Sequence, residues 1–101
     1  MIGTQLVKIL VIDDHEIVRR DMKQIIEETL AHVDVGEADT GQKAIAAVQQ
    51  EPWDLAIVDI SLPDRSGLSL LSELHSTAPQ LTLMVLSLHP EEQYAVRAFR
   101  A

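Results

Sequence analysis

Three aspartates and one serine stand where apolar runs of this sequence end. Asp13 and Asp14 follow ILVI, Asp59 follows LAIV, and Ser87 follows LMVL. Carboxylate oxygens suit hard divalent cations, and three carboxylates in one cleft would need such a cation, for example Mg²⁺, to offset their mutual repulsion. An aspartate oxygen beside the cation can attack phosphorus and form an aspartyl phosphate. These residues therefore predict a metal-assisted phosphoryl site, provided that the fold brings them together.

The apolar runs themselves predict parallel β-strands. Residues 6–12 are apolar and β-branched on both faces, which is typical of a strand buried inside a parallel sheet. Strands are predicted over residues 6–12, 33–38, 55–58 and 81–86. The first, third and fourth of these runs end directly before the residues that carry the chemistry.

The segments between the strands space their apolar residues three to four apart, as amphipathic helices do. Helices are predicted over residues 15–31, from Thr40 to near Pro52, and from Ser66 to Pro79. Pro90 suits the first position of a helix, and the two glutamates after it complement the helix dipole. A fourth helix is therefore predicted from there to the chain end.

Strands that alternate with helices predict a doubly wound α/β fold, with helices on both faces of a parallel sheet. Ligands bind such sheets outside the carboxyl ends of the strands, near the point where strand order reverses. Asp13, Asp14, Asp59 and Ser87 are expected to meet at that edge. A lone aspartate after a strand usually caps a helix or forms a turn, whereas this combination, with a Pro–Gly loop after Asp59, favours a phosphoryl site.

Composition excludes several other classes. The chain has 101 residues, which suits one domain, and no cysteine, which excludes disulfides and thiolate chemistry. Its 16 acidic and 8 basic residues give a net charge of −8, so this segment is expected to repel nucleic acid. No apolar run approaches the ~20 residues of a membrane span and the start is unlike a signal peptide, so a soluble cytoplasmic protein without membrane contact is expected.

Other polar residues near the acidic pair are interpreted as structural. Arg19 and Arg20, with two glutamates further along, are taken as the solvated face of the first helix. None of the four histidines has a partner four residues away, so a two-histidine metal site is not predicted. His15 borders the acidic pair, and a packing role at the start of the helix is preferred for it.

At these residues the chain resembles a known family. VIDDHEIVRR, IVDISLPDRSGLSLL and LMVLS are similar to motifs of the receiver domains of response regulators in two-component systems. The DDH start and the DISLPDRSG loop look most like those of NarL/LuxR-type transcriptional regulators. The resemblance covers essentially the whole chain. It implies a flavodoxin-like (CheY-like) sheet with strand order 2-1-3-4, and a signalling module that is not an enzyme.

The resemblance also implies a role for each residue of the site. Asp59 would be the phosphoacceptor, and a sensor histidine kinase would donate the phosphoryl group. Asp14 would bind Mg²⁺ directly, while Asp13 would act mainly through metal-bound water. The backbone carbonyl of Ser61 would be a further metal ligand. Ser87 would hydrogen-bond a phosphoryl oxygen and switch its loop on phosphorylation.

The sequence departs from the family at its end, AVRAFRA, where the family continues with a fifth strand, a fifth helix and a lysine that pairs with the phosphoryl group. Residues 1–101 are therefore expected to be a C-terminally truncated receiver domain, without the DNA-binding output domain of the parent regulator. Strand 81–86 would then be an exposed edge, which invites pairing with another chain. A homodimer or swapped assembly through this side is expected.

Two other functions remain open from the sequence. Without the family's lysine and fifth unit, the chain could serve as a phosphorylation-independent interaction module. A Mg²⁺-dependent phosphohydrolase could also use Asp59 as its nucleophile. Such enzymes usually carry a D-x-D motif, whereas Asp59 is followed by Ile60 and Ser61, so the enzyme is disfavoured.

Overall fold

The computed structural model describes residues 6–59, 62, 64, 66–87 and 95–99. In chain order, the elements are β1 (Val7–Ile12), α1 (Glu16–Thr29), β2 (Val33–Ala38), α2 (Gly41–Gln50), β3 (Leu55–Asp59), α3 (Gly67–Thr77), β4 (Thr82–Ser87) and β5 (Ala95–Phe99). The described helices include none whose length and apolar character would let it cross a bilayer.

The strands form one sheet in the order β2-β1-β3-β4-β5. β1 pairs in parallel with β2 on one side and with β3 on the other, and β3 pairs in parallel with β4. The predicted flavodoxin-like fold with strand order 2-1-3-4 is confirmed. The chain leaves β1 towards β2 and later returns to the far side of β1 as β3. Strand order therefore reverses between β1 and β3, which is where such sheets bind ligands.

The helix predicted from Pro90 to the chain end is wrong for the part that the structure describes. Ala95–Phe99 form β5, which pairs antiparallel with β4 and sets Ser87 opposite Ala95. Pairing satisfies the backbone N–H and C=O groups along β4, which an unpaired edge would expose. Among the described strands β4 is internal, so the dimer or swapped assembly predicted through a β4 edge loses its basis.

The main core lies between the sheet and the helices α2 and α3. It contains Leu10 and Ile12 of β1, Leu70 and Leu74 of α3, and further apolar residues of β3, β4 and α2. Val11 points to the opposite face of the sheet and is also fully buried, so β1 is covered on both sides. Burial on both faces explains why its residues are apolar at successive positions. The strand that leads to the acidic pair is therefore packed from both sides.

A tryptophan beside β2 is packed against a glycine. The ring of Trp53 lies over Gly36, and a Cβ added to that glycine would overlap the ring atom Cη2. The ring is also fixed from other sides: Nε1 donates to the carbonyl of Ala47 at 3.1 Å, and Nζ of Lys8 lies 4.8 Å from the ring centroid. Gly36 is therefore required for close approach of the ring to the strand.

Gly36→Ala is expected to destabilise the protein, although alanine normally favours a strand over glycine. Overpacking against a fixed ring costs about 1–3 kcal/mol, which urea unfolding would measure. The loss should shrink in a Trp53→Phe background, because the smaller phenyl ring leaves room for the methyl group. An equal loss in both backgrounds would show that the ring is not the cause.

Candidate functional site

The carboxyl ends of β1 and β3 bring the predicted aspartates together. Asp13 and Asp14 directly follow β1, and Asp59 is the last residue of β3. One carboxylate oxygen from each, together with a ring nitrogen of His15, all lie within 4.8 Å of one another. The predicted convergence of the three carboxylates is confirmed. The position follows from the sheet, because neighbouring parallel strands end at the same edge.

Asp13 is the most deeply placed of the three carboxylates. The residue is only 3% exposed. Its backbone N–H donates to the carbonyl of Ala38 at 3.0 Å, and its Oδ1 accepts the backbone N–H of His15 at 2.8 Å. A buried carboxylate needs such partners, because taking its charge out of water is costly. Asp13 therefore has little freedom to move.

Asp14 and Asp59 keep more contact with solvent. The Asp14 side chain is 31% exposed and the Asp59 side chain 13% exposed. The cleft thus has one buried carboxylate at its base and two that a solute can approach. The Asp59 side chain lies at this opening, and its role as a nucleophile remains a prediction.

His15 lies over the carboxylates. Its Nδ1 is 3.1 Å from Oδ1 of Asp13, 3.1 Å from Oδ1 of Asp14 and 3.9 Å from Oδ2 of Asp59. The side chain is 64% exposed, so the packing role preferred for it from the sequence is wrong. The hydrogen bond to Asp13 raises the pKa of His15, as do the negative charges of Asp14, Asp13 and Asp59. The carboxylates thus favour the protonated form of the imidazole.

The loop that follows Asp59 is anchored at two described residues. The side chain of Leu62 is buried in the core. The carboxylate of Asp64 caps α2: Oδ1 accepts the N–H of Gly41 at 2.9 Å and Oδ2 accepts the N–H of Gln42 at 3.0 Å. A negative charge at a helix N-terminus is also favoured by the helix dipole. Asp64 therefore ties this loop to α2, a role that its turn-like sequence context did not reveal.

Two predicted site residues, Ser61 and Ser87, are described only in part or not at all. Ser61, predicted to offer its backbone carbonyl, lies outside the described residues. Ser87 ends β4 as the sequence predicts, next to the end of β3, but its side chain is outside the described part. Both remain predictions in their chemical roles.

Arg19 is close to the site although the sequence assigned it to a solvated helix face. Its side chain is 15% exposed, and Nη1 donates to the backbone carbonyl of Asp13 at 2.8 Å. Nε donates to Oε1 of Glu37 on β2 at 3.0 Å. The solvated-face interpretation is therefore wrong for Arg19, whereas Arg20 is exposed. Sequence spacing alone gave no signal, because Glu37 is 18 residues away.

Comparison with known proteins finds relatives among response regulators. The model of the response regulator receiver domain family matches residues 9–101. The DNA-binding transcriptional activator DevR/DosR of Mycobacterium tuberculosis is 32% identical over 96 residues, covering 95% of this chain and 44% of that protein. This chain therefore spans less than half the length of that relative.

Two solved structures share the fold. A CheY-like response regulator receiver domain protein from Methanospirillum hungatei superposes with a TM-score of 0.75 and 31% identity, covering 83% of this chain and 66% of that one. A response regulator from Burkholderia pseudomallei, solved with a phosphorylated aspartic acid, a calcium ion and citrate, gives a TM-score of 0.75 and 28% identity. The match covers 82% of this chain and 48% of that one.

Removing the cap of α2 tests the anchoring of the loop. Asp64→Ala is expected to lower the free energy of unfolding by about 1–2 kcal/mol, because two backbone N–H groups lose their acceptor. Asp64→Asn keeps one carbonyl oxygen and should lose less. Urea unfolding followed by circular dichroism measures both variants. Stability equal to that of the unsubstituted protein in Asp64→Ala would contradict the cap.

The raised pKa of His15 can be observed directly by NMR titration of its ring protons in metal-free protein. We expect the pKa to lie above that of the same histidine in urea-unfolded chain, and to fall in Asp13→Asn, which weakens the largest cause. Since the folded pKa is the higher one, the stabilisation is complete below about pH 6.5 and is lost as pH rises through the folded pKa. Equal values in folded and unfolded chains would contradict the contact.

Proposed function

Because this chain belongs to the response regulator receiver domain family, we propose that it accepts a phosphoryl group on the carboxylate of Asp59 in an Mg²⁺-dependent reaction. The observation that carries the proposal is the convergence of Asp13, Asp14 and Asp59 at the point where strand order reverses. The signalling role of the family and its relation to transcriptional regulators follow from the comparisons. We propose in addition that Asp59 is the phosphoacceptor, that the metal is Mg²⁺ and that the partner is a sensor histidine kinase.

The donor set fits Mg²⁺. Each Mg²⁺–oxygen bond is about 2.1 Å, so two ligands on opposite sides of one ion lie about 4.2 Å apart. Oxygens of the three carboxylates already lie within 4.8 Å of one another, and all are hard ligands. Asp14 and Asp59 would bind the ion directly, Asp13 through water, and Ser61 through its backbone carbonyl. The bound ion would offset the negative charge of the phosphoryl oxygens.

The phosphoryl group would come from a phosphohistidine of a sensor histidine kinase. A carboxylate oxygen of Asp59 attacks phosphorus, a P–O bond forms, and the P–N bond to the kinase histidine breaks. The released imidazole nitrogen takes up a proton from solvent water, which balances charge and atoms. The side-chain hydroxyl of Ser87 would donate a hydrogen bond to a phosphoryl oxygen. The Asp59 side chain keeps 13% of its surface in contact with solvent, from which such a donor would approach.

Two relatives support the chemistry and the output. The Burkholderia pseudomallei regulator contains a phosphorylated aspartic acid and a calcium ion, and calcium prefers the same hard oxygen ligands as magnesium. DevR/DosR is a DNA-binding transcriptional activator of more than twice the matched length. We propose that this segment acts in a longer regulator whose output domain binds DNA. Its net charge of −8 disfavours nucleic-acid binding by the segment itself.

The other functions left open by the sequence gain no support. The assembly through an exposed β4 edge loses its basis, because β5 pairs with β4 among the described residues. A phosphorylation-independent interaction module would be recognised by failure to bind Mg²⁺ or beryllofluoride. Phosphohydrolases with an aspartate nucleophile usually carry a D-x-D motif, whereas Asp59 is followed by Ile60 and Ser61. The phosphoacceptor role is therefore the function that the site supports best.

Acetyl phosphate with Mg²⁺ is expected to add one phosphoryl group to this chain, detected by intact mass. Asp59→Asn should abolish the addition, because an amide oxygen is a poor nucleophile and carries no charge. Chelation of Mg²⁺ by EDTA should reduce it strongly. Asp34→Asn is the matched control, since Asp34 is an exposed residue at the other end of the sheet, opposite Lys8 of β1, and should label normally. Undiminished labelling of Asp59→Asn would refute the proposal.

A further inference from the structure

The guanidinium of Arg19 joins three elements of the fold beside the acidic cluster. It projects from α1, donates from Nη1 to the carbonyl of Asp13 after β1, and donates from Nε to Glu37 on β2. Glu37 also faces Nζ of Lys23 at 3.6 Å. The bond to the carbonyl of Asp13 is partly buried, whereas the bond to Glu37 is exposed. The Arg19 side chain itself is only 15% exposed, and a charge-assisted hydrogen bond is stronger where water is partly excluded.

These bonds fix the backbone of Asp13 on both sides of its side chain. The N–H of Asp13 is held by the carbonyl of Ala38 on β2, and its C=O is held by Arg19 on α1. With both flanking peptide groups fixed, the direction in which the carboxylate leaves the backbone is fixed as well. Asp14, one residue later, begins from the peptide group that Arg19 holds.

We propose that Arg19 is a positioning residue for the metal site, an inference that rests on the proposed Mg²⁺-dependent function. It acts by presetting the Asp13–Asp14 backbone so that the carboxylates stay gathered in the absence of the cation. Arginine suits this task because its rigid fork reaches the carbonyl of Asp13 and the carboxylate of Glu37 at once. Residues that hold metal ligands in place typically change metal affinity by ten- to a hundredfold when they are removed.

The sign of the effect separates positioning from charge. A guanidinium beside the site repels a divalent cation, so removing its charge alone would tighten Mg²⁺ binding. Loss of positioning would weaken binding, because the carboxylates must then be ordered when the metal arrives. A weaker Kd in a variant without the charge at residue 19 therefore cannot come from electrostatics.

The test is a titration with MgCl₂ alone at constant ionic strength, followed by the backbone amide NMR shifts of residues 13–15 and 59. Arg19→Gln is expected to raise the Kd for Mg²⁺ by roughly tenfold. Arg20→Gln removes the same charge from an exposed neighbour on α1 and should leave the Kd unchanged or slightly lower. Arg19→Lys keeps the charge but replaces the planar fork with a single ammonium nitrogen. It should also weaken Mg²⁺ binding, because one nitrogen does not reproduce the geometry of both hydrogen bonds. Urea unfolding of each variant confirms that the titrated protein is folded.

The Mg²⁺ titration distinguishes failure of the positioning role from failure of the proposed metal site. A Kd in Arg19→Gln equal to or tighter than that of the unsubstituted protein would overturn the inference and leave the proposed function standing. If Arg19→Gln does not fold, Arg19→Lys decides, and an unchanged Kd there would overturn it. A lower urea midpoint with an unchanged Kd would mean a structural role only. If the unsubstituted protein binds no Mg²⁺, the proposed metal site fails and the inference fails with it.

Discussion

Repulsion among three carboxylates is the constraint on which the arrangement of this sheet edge depends. Charges a few ångströms apart interact strongly where protein replaces part of the surrounding water. Asp13 is almost wholly buried, so its charge must be offset locally. His15 meets all three carboxylates, and backbone N–H groups hold Asp13. Under the proposed function, the same repulsion would favour a hard cation at this site, and the cation would in turn attract a phosphoryl group.

Packing and hydrogen bonds from several elements hold the residues around the cluster. β1 is an internal strand buried on both faces, and the acidic pair directly follows it. The loop after Asp59 is held by the buried Leu62 and by Asp64 at the N-terminus of α2. Backbone groups at the end of β1 are bonded to β2 and to α1. Under the proposed function, a phosphoryl group at this edge would therefore lie where several elements meet.

The C-terminal part shows how a sheet edge can outweigh local helix signals. Pro90 and the glutamates after it favour a helix start, yet Ala95–Phe99 pair with β4 as β5. The helix propensity of a single residue amounts to only a fraction of a kcal/mol. Without β5, β4 would be an edge strand with a row of backbone N–H and C=O groups left unpaired.

The sequence by itself determined the four parallel strands, the order of their helices and the positions of the three aspartates at strand ends. Those features depend on local periodicity and on a general property of parallel sheets, so they could be predicted. Only the tertiary structure decided that His15 lies over the carboxylates, that Arg19 is withdrawn from solvent, and that Asp64 caps a helix 23 residues earlier in the chain. Each of these depends on which groups the fold brings together across long separations, and spacing along the chain does not encode that.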